Sequence, residues 1–473
     1  MTTFYLPSTL QSLAGGADRL EAAGATVGEA LRQLEREHPR LAGWVLDERG
    51  GLRRHVSLFV NDALAAPDSP LAPGDQVYIV PAISGGAPGA GGPGAPGAAG
   101  GPGAPGEVSE AGEVEVLAGT RKGLFVLRGL RGGRLEVVAR RFAGQPVEYA
   151  LRDARSGLCF ASVTHGHFGP HLFFTRDPAA PDSSWEQAAG PVFPDDAGAA
   201  VERIWVVEPG SEDGVLWAGV APAALFRSGD GGRSWELVRG LWEEPSRPQW
   251  KPGFGGLCLH SICPWPGEPA RLAVGISSAG VWVTEDGGLS WRRGTSGLVP
   301  RYVPEEARPT TTMFCIHKLL RAERQPATLY MQFHGGVYRS EDAGLTWTDI
   351  GTGSGLPSDF GFPLVLDPRD PARAFVIPLL ADADRVTPEG RLRVFETVDR
   401  GASWHPLTAG LPQENCYLTI LRQAFGHDGG DPLGLYFGAE SGDLYASPDG
   451  GRTWSAAVSG LPPILSVRAG LLA

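Results

Sequence analysis

The sequence predicts a mainly β protein in which a small α+β domain precedes a flexible linker and a ring of repeated four-stranded sheets. The 473 residues are too many for one ordinary domain. The chain contains 68 Gly, 41 Pro and 13 Trp, a composition typical of short strands, tight turns and aromatic anchors. A turn motif that ends in Trp recurs through its second half, and a segment rich in Gly, Pro and Ala separates that half from the N-terminal part.

The overall charge excludes two classes of partner. The net charge is −12 and the isoelectric point is near 5.4, whereas nucleic acids and anionic membranes attract clustered Lys and Arg. The N-terminus has no basic start followed by an apolar run, and no apolar stretch reaches about 18 residues. We therefore expect a cytoplasmic protein with no nucleic-acid and no membrane partner.

The five cysteines are odd in number, form no Cys-x-x-Cys pair and lie in apolar, strand-like segments. This pattern favours buried free thiols over disulfides or zinc ligands. The cysteines are Cys159, Cys258, Cys263, Cys315 and Cys416.

Residues 87–112 read almost entirely as Gly, Pro and Ala and predict a linker. A flexible chain of this length spans roughly 25–30 Å. The predicted organisation is thus a domain at 1–86, a linker at 87–112 and a second domain at 113–473.

The first domain contains the elements of a β-grasp fold. Thr3 to Leu6 and "AAGATV" predict a hairpin, and a helix is expected from about Val27, with Thr26 and Glu29 as its capping box. "HVSLFVND" and "GDQVYIV" predict the returning strands. One face of the helix carries Val27, Ala30, Leu31 and Leu34.

The order "FVND" then "LAPGDQVYIVPAISGG" resembles the sulfur-carrier family of ubiquitin-like proteins, which includes the molybdopterin-synthase small subunit and the thiamine sulfur carrier. The resemblance covers residues 1–86 and rests on Gly74, Asp75, Pro81 and the pair Gly85-Gly86. It implies that a terminal Gly carboxylate is adenylated and then converted to a thiocarboxylate. A ubiquitin-activating-like adenylyltransferase is the implied partner.

Gly86 is internal in this chain, and its peptide bond to Ala87 blocks that chemistry. Two interpretations stay open. A processing protease releases residues 1–86, or the domain has become a permanent docking module. We prefer processing, because side-chain-free residues in a flexible segment extend easily into a protease.

After the linker, the pattern [ST]-x-D-x-G-x-[ST]-W occurs five times, with successive Trp residues about 50 to 57 positions apart. This spacing is typical of propeller blades. "TRDPAAPDSSW" is a degenerate sixth copy. The five copies, which we call the box turns, are Ser228 to Trp235, Thr284 to Trp291, Ser340 to Trp347, Thr397 to Trp404 and Ser447 to Trp454.

The box turns resemble the Asp-box (BNR) repeats of sialidase-like β-propellers, in which the motif joins the third and fourth strands of a blade. Asp accepts hydrogen bonds from turn N–H groups, Gly tolerates positive φ and Trp anchors the turn. We interpret these Asp residues as scaffold. The first blade lacks an inner strand, and "PPILSVRAGLLA" is left over at the C-terminus, so the sequence predicts seven blades closed by the C-terminal strand.

Basic residues and histidines gather on the face opposite the box turns, in the loops that join the second and third strands of each blade and on inner strands near the channel. In an acidic chain they favour an anionic small molecule or glycan as ligand. Any single member of the set is better suited to bridging blades, whereas the group as a whole is equally suited to binding a ligand. The candidate ligand-binding residues are Arg121, Lys122, His165, His167, Arg203, His260, His334 and Arg385.

The sequence contains no complete catalytic motif of the sialidase type. The Arg-Ile-Pro entrance motif of sialidases is absent, no Tyr-Glu pair follows from spacing, and we assign no catalytic residue. His165-x-His167 with His260 or His334 offers three imidazoles to a metal, but none of them is assigned as a metal ligand. The sequence thus favours a sulfur carrier fused to a ligand- or partner-binding propeller. The alternative is an exo-sialidase-like glycoside hydrolase with a ubiquitin-like accessory domain.

Overall fold

The computed structural model divides the chain into two compact units, Met1–Gly112 and Glu113–Ala473. It describes residues 1–53, 56–61, 63–81, 112–253, 255–303, 305, 308, 311 and 313–472. The pair Gly85-Gly86 and nearly all of the predicted linker lie outside the described residues. None of the described helices is both long and apolar enough to cross a membrane.

The N-terminal unit is a β-grasp-like domain built on a five-stranded mixed sheet and one amphipathic helix, Val27–Glu37. The helix buries the apolar face predicted for it. A short helix, Ser8–Gln11, follows the first strand, and a 3-10 turn spans Pro39–Leu41. Across the sheet the strands are ordered Arg19–Ala22, Thr2–Tyr5, Gln76–Pro81, Val56–Val60 and Ala63–Ala65.

The second strand of the predicted hairpin was misplaced at "AAGATV". The strand ends at Ala22 instead. The backbone amide of Ala23 donates to Gln33 Oε1 (2.9 Å) and that of Ala25 to Glu29 Oε2 (2.8 Å), so this segment leads into the helix. Thr26 caps the helix as predicted, accepting from the Glu29 amide.

The second unit contains seven four-stranded antiparallel sheets in the part of the chain that the structure describes. From the inner to the outer strand, sheets 1 to 3 are Ile464–Leu471, Glu113–Thr120, Gly123–Leu130, Glu136–Arg141; Val147–Arg152, Cys159–His165, Gly169–Thr175, Glu186–Gln187; and Arg203–Pro209, Leu216–Ala221, Ala224–Ser228, Glu236–Leu237. Sheets 4 to 7 are Leu259–Trp265, Glu268–Ile276, Gly280–Thr284, Arg292–Gly294; Ile316–Arg321, Leu329–Phe333, Gly336–Ser340, Thr348–Asp349; Gly361–Leu366, Ala374–Pro378, Val394–Thr397, His405–Leu407; and Phe425–His427, Leu435–Gly438, Leu444–Ser447, Ser455–Val458. Short helical turns occupy Asp182–Ser184, Asp195–Ala197, Arg239–Trp242, Arg247–Gln249 and Pro388–Gly390.

The inner strands lie beside one another in chain order, as in a β-propeller. Ile464–Leu471 pairs antiparallel with Glu113–Thr120 and also contacts Phe425–His427 and Val147–Arg152. The apolar core lies between adjacent sheets. Phe160 and Phe226 share one cluster.

Each box turn uses its own carboxylate. Asp230 Oδ2 accepts from the Ser234 hydroxyl (2.6 Å), Asp230 Oδ1 accepts from the Ser228 hydroxyl (2.8 Å), and the Gly232 amide donates to Ser228 Oγ (2.9 Å). Hydrogen bonds from such partners hold the pKa of Asp286 and Asp399 to about 2. The corresponding Asp-to-hydroxyl bonds in the other turns are Asp286 to Ser290, Asp342 to Thr346, Asp399 to Ser403 and Asp449 to Thr453.

The Trp indoles of the box turns form two kinds of hydrogen bond. Trp347 Nε1 donates to Gly294 O (3.1 Å), in the outer strand of the preceding sheet. Trp404 Nε1 donates to Ile350 O (2.8 Å), directly after the outer strand of the preceding sheet. Trp291 Nε1 donates within its own turn, to Gly288 O. Only some of these indoles therefore hydrogen-bond to the preceding sheet, although Trp291 also packs against a core cluster that includes residues of that sheet.

Candidate functional site

Two turns position the last strand of the N-terminal unit. Asn61 Nδ2 donates to Asp75 Oδ1 (3.1 Å), and the Gln76 amide donates to Asn61 Oδ1 (3.1 Å). Asp75 Oδ2 accepts from the Ala72 amide (2.8 Å), and these hydrogen bonds lower the pKa of Asp75. Gly74 has φ +92°, a conformation that favours glycine. The Gly-Asp turn thus starts the central strand, Gln76–Pro81, that leads toward Gly85-Gly86.

The solvent-facing side of this sheet carries a row of large side chains. Tyr5 pairs with Tyr78, Tyr78 with Phe59 and Phe59 with Leu64 in the strand register. The two Tyr rings stack at 4.6 Å, and Leu64 is 73% exposed. Arg19 continues the row at one edge. We call these five residues the aromatic row; Leu64 and Arg19 are exposed, and the three aromatic side chains are half-buried.

The inner strands of the second unit share a buried polar network. The Tyr149 hydroxyl donates to Glu208 Oε1 (2.8 Å), and Arg468 Nη2 donates to the Tyr149 oxygen (2.9 Å) and to Gln423 Oε1 (3.0 Å). Lys318 Nζ donates to the same Gln423 oxygen (2.5 Å). These contacts link the inner strands of sheets 1, 2, 3 and 5 with the segment that precedes the inner strand of sheet 7.

This network includes a Tyr-Glu pair that sequence spacing could not identify, because Tyr149 and Glu208 lie on different sheets. Burial raises the pKa of Tyr149, so its phenol stays protonated. Burial also lowers the pKa of Lys318 to about 7. Tyr149 is 1% exposed and bonds Glu208 and Arg468, so the pair links neighbouring sheets.

A cavity of about 320 Å³ lies at the end of the propeller where the inner strands finish. The box turns lie at this same end. The candidate ligand-binding residues are predicted at the opposite end. The polar residues lining the cavity are Glu208, Lys318, Arg321, Glu323, Asp367, His427 and Arg468.

At the opposite end, which we call the mouth, the inner strands begin with β-bulges. The register shifts at Trp205, His260, His317 and Leu465, and across Phe362 in sheet 6. A bulge re-aims the side chain it carries. Consecutive sheets therefore bring bulged residues to the same mouth. The alternation of side chains between the two faces of a regular strand does not predict their directions.

Three guanidinium groups lie on aromatic rings at the mouth. Arg203 lies 4.9 Å and Arg422 5.1 Å from the centre of the Trp205 ring. Arg422 and Arg385 lie 5.8 Å and 5.3 Å from the centre of the Phe362 ring. Among the described residues no carboxylate lies within ion-pair distance of Arg422. This arrangement can attract an anionic ligand.

Acidic residues neutralise part of this charge. Glu148 Oε1 lies 3.4 Å from Arg203 Nε, and Glu440 Oε1 lies 3.1 Å from Arg121 Nη2. Burial raises the pKa of Glu148. Lys122, which follows Arg121 in the sequence, is exposed.

The structure separates the predicted histidines into different environments. His260 is fully buried and contacts Ile316 O (2.9 Å) and Ser261 Oγ (3.0 Å), so it bridges sheets 4 and 5. The His165 and His167 rings lie 5.7 Å apart, and burial lowers the pKa of His165 to about 4.

His334 joins Cys315 and His317 instead. One ligand-capable atom from each of these three residues lies within 4.8 Å of the others, and no second group of this kind occurs among the residues the structure describes. Burial lowers the pKa of both imidazoles and raises that of the thiol. Cys315 was not among the candidate site residues, because its apolar surroundings in the sequence are typical of a packed thiol; the Cys-x-His spacing was the available signal.

The two units are similar to different known proteins. Residues 5–86 match the family model described as the ThiS family. The sulfur carrier protein CysO of Mycobacterium tuberculosis is 31% identical over 90 residues, which are 18% of this chain and 97% of CysO. In the solved BexX/CysO complex of Amycolatopsis orientalis, the matched chain is 30% identical over 18% of this chain and 100% of that chain, with a TM-score of 0.17.

The propeller unit matches xyloglucanases over part of their length. The xyloglucanase of Hypocrea jecorina is 30% identical over 248 residues, which are 47% of this chain and 27% of the relative. The GH74 xyloglucanase structure from Xanthomonas campestris is 18% identical over 74% of this chain and 53% of that chain, with a TM-score of 0.49. The chain thus spans about a quarter of the curated xyloglucanases it matches. By contrast, the N-terminal match covers nearly the whole of CysO, and through these residues the chain belongs to the ThiS family of sulfur carriers.

Proposed function

We propose that residues 1–86 act as a sulfur carrier that a protease releases by cleavage after Gly86 and that is then activated as a thiocarboxylate. The observation that carries this proposal is the end of the family match at Gly86, inside a chain that continues far beyond it. Adenylation needs a free carboxylate, so the bond to Ala87 must first be hydrolysed. The freed carboxylate attacks the α-phosphorus of ATP and pyrophosphate leaves; a sulfide-level donor then attacks the Gly86 carbonyl carbon, and AMP leaves.

A ubiquitin-activating-like adenylyltransferase is the proposed partner, and the aromatic row is its proposed docking surface. The exposed Leu64 and the half-buried, stacked Tyr5 and Tyr78 support this, because aromatic and apolar side chains at a surface favour protein contact. The existence of a BexX/CysO complex supports the idea that such domains work with partner proteins.

For the second unit we propose a seven-bladed propeller of the sialidase-like Asp-box type, closed by Ile464–Leu471, that binds an anionic small molecule or glycan at its mouth. The pairing of this strand with Glu113–Thr120 supports closure. Arg203, Arg385 and Arg422 are the proposed contacts of that ligand.

We also propose a cytoplasmic location, which the five free cysteines support.

Glycoside hydrolysis is the second candidate function, favoured by the similarity to xyloglucanases. Glu148 is the candidate general acid, because burial raises its pKa at the mouth. Release of reducing sugar from xyloglucan oligosaccharides by the full chain, abolished in Glu148→Gln, would support this function. No release from xyloglucan or sialosides would favour binding.

The processing step is tested with an N-terminal epitope tag in the source organism. We expect a tagged fragment of the size of the carrier domain from the parent, and only full-length chain from Gly86→Pro. Gly100→Pro, farther along the linker, is the matched control and should still release the fragment. Full-length chain alone in all three samples would contradict processing.

A further inference from the structure

We propose that Cys315, His317 and His334 bind a zinc-class divalent metal ion at the mouth of the propeller. Their ligand-capable atoms lie within 4.8 Å of one another. A thiolate and two imidazoles are donors that Zn²⁺ accepts in tetrahedral sites, and three protein ligands leave one position open. This inference stands independently of the carrier function.

The two imidazoles are already oriented for such an ion. His317 Nδ1 lies 2.6 Å from Gly361 O, and His334 Nε2 lies 3.1 Å from Asp382 Oδ2. Each contact assigns a proton to that nitrogen and leaves the other nitrogen as the metal donor: Nε2 of His317 and Nδ1 of His334. Carbonyl or carboxylate acceptors behind the ligating imidazole are the usual support of metal-bound histidines.

Cys315 is held by its backbone and by a contact of its sulfur with the Ser277 hydroxyl, 4.0 Å away. Its amide donates to the Tyr302 oxygen (2.8 Å), and the Tyr302 ring lies 4.5 Å from the His334 ring. Cys315 immediately precedes the strand whose bulge carries His317. Cys315 is half-buried, whereas His317 is buried, so the group lies at the edge of the core.

The charges around the site favour an anion as the fourth ligand. The Cys315 thiolate and the Asp382 carboxylate offset the charge of the ion, while Arg385 and Arg422 lie close enough to influence His317 electrostatically. Two neighbouring guanidinium groups disfavour a further cation and favour an anion. The fourth ligand is therefore expected to be a small carboxylate or another anionic donor.

Cobalt titration of the metal-depleted, full-length protein tests the site. We expect one Co²⁺ per chain, an intense thiolate-to-cobalt charge-transfer band, and loss of that band when Zn²⁺ is added. Cys315→Ser should abolish the band. Asp382→Asn should weaken metal affinity about 10- to 100-fold with an unchanged melting temperature, since it removes only the support of His334.

His165→Gln and Cys416→Ser are matched controls and should bind as the parent does, because neither residue belongs to the group. Failure to bind Co²⁺ or Zn²⁺, a band that persists in Cys315→Ser, or an Asp382→Asn affinity equal to that of the parent would each overturn the proposal. If Cys315→Ser does not fold, Asp382→Asn and His334→Gln decide the question in the same assay.

Discussion

The Asn61 side-chain amide donates to the Asp75 carboxylate over 3.1 Å and so joins the two turns that flank the last strand of the N-terminal unit. Asn61 has φ +53°, which Asn and Gly tolerate better than Ala. We expect Asn61→Gly to lower the free energy of unfolding by about 1 kcal/mol through the lost hydrogen bonds. Asn61→Ala should cost about 1–2 kcal/mol more because of the backbone conformation. Equal urea midpoints for the three chains would contradict this role.

The box-turn Trp residues should differ in their contribution to stability. Trp347 is 5% exposed and bonds the preceding sheet, whereas Trp291 is only partly buried and bonds its own turn. We expect Trp347→Ala to destabilise the propeller by about 3–5 kcal/mol. Trp291→Ala should cost less, about 1–2 kcal/mol. Leu289→Ala, at an 82% exposed position, is the control for urea unfolding, and equal losses for both Trp variants would refute the distinction.

The buried Lys318 should make propeller stability depend on pH. Burial holds its folded-state pKa to about 7, below the unfolded value of about 10.4. Between these values the unfolded chain binds more protons, so stability rises with pH and is lost as the pH falls toward 7. We expect a loss of about 2–3 kcal/mol between pH 9 and pH 6.

Lys318→Met should remove most of that dependence in urea unfolding at a series of pH values. Gln423 keeps the hydrogen bond from Arg468 in this variant. A parent and a variant with parallel pH profiles would show that Lys318 is not the titrating group.

Glu35 should produce the opposite dependence in the N-terminal unit. Burial raises its pKa to about 7, while the Gly43 amide, Arg53 and Arg32 oppose the shift. Because the folded state holds the proton above the unfolded pKa of about 4.3, stability is greatest below that value and falls as the pH rises toward 7. Glu35→Gln retains an oxygen for the Gly43 amide and should flatten the profile. A parent domain with equal stability at pH 5 and pH 8 would contradict this.

Local patterns predicted much of the molecule. The box turns, the Thr26 cap and the buried face of the first long helix each follow from residues close in sequence, whose interactions are set by turn and helix geometry. The second strand of the N-terminal sheet was misplaced because Glu29 and Gln33, on the following helix, take the backbone amides that were expected to form it.

The site was harder to predict because it depends on long-range register. His334 was identified from its turn, but its partners Cys315 and Asp382 come from a connection between sheets and from a long insertion. His317 lies at a bulge, where the alternation that orients strand side chains fails. Tyr149 and Glu208 meet only because sheets 2 and 3 are neighbours.

The chemical state of Gly86 tests the central claim most directly. Intact-mass measurement of the protein isolated from its source organism reports both cleavage and sulfur loading. We predict a fragment that ends at Gly86 and a second species heavier by one sulfur-for-oxygen exchange at the terminal carboxyl group. Full-length chain as the sole species, with Gly86 still bonded to Ala87, would contradict the proposal that the domain is a released and activated sulfur carrier.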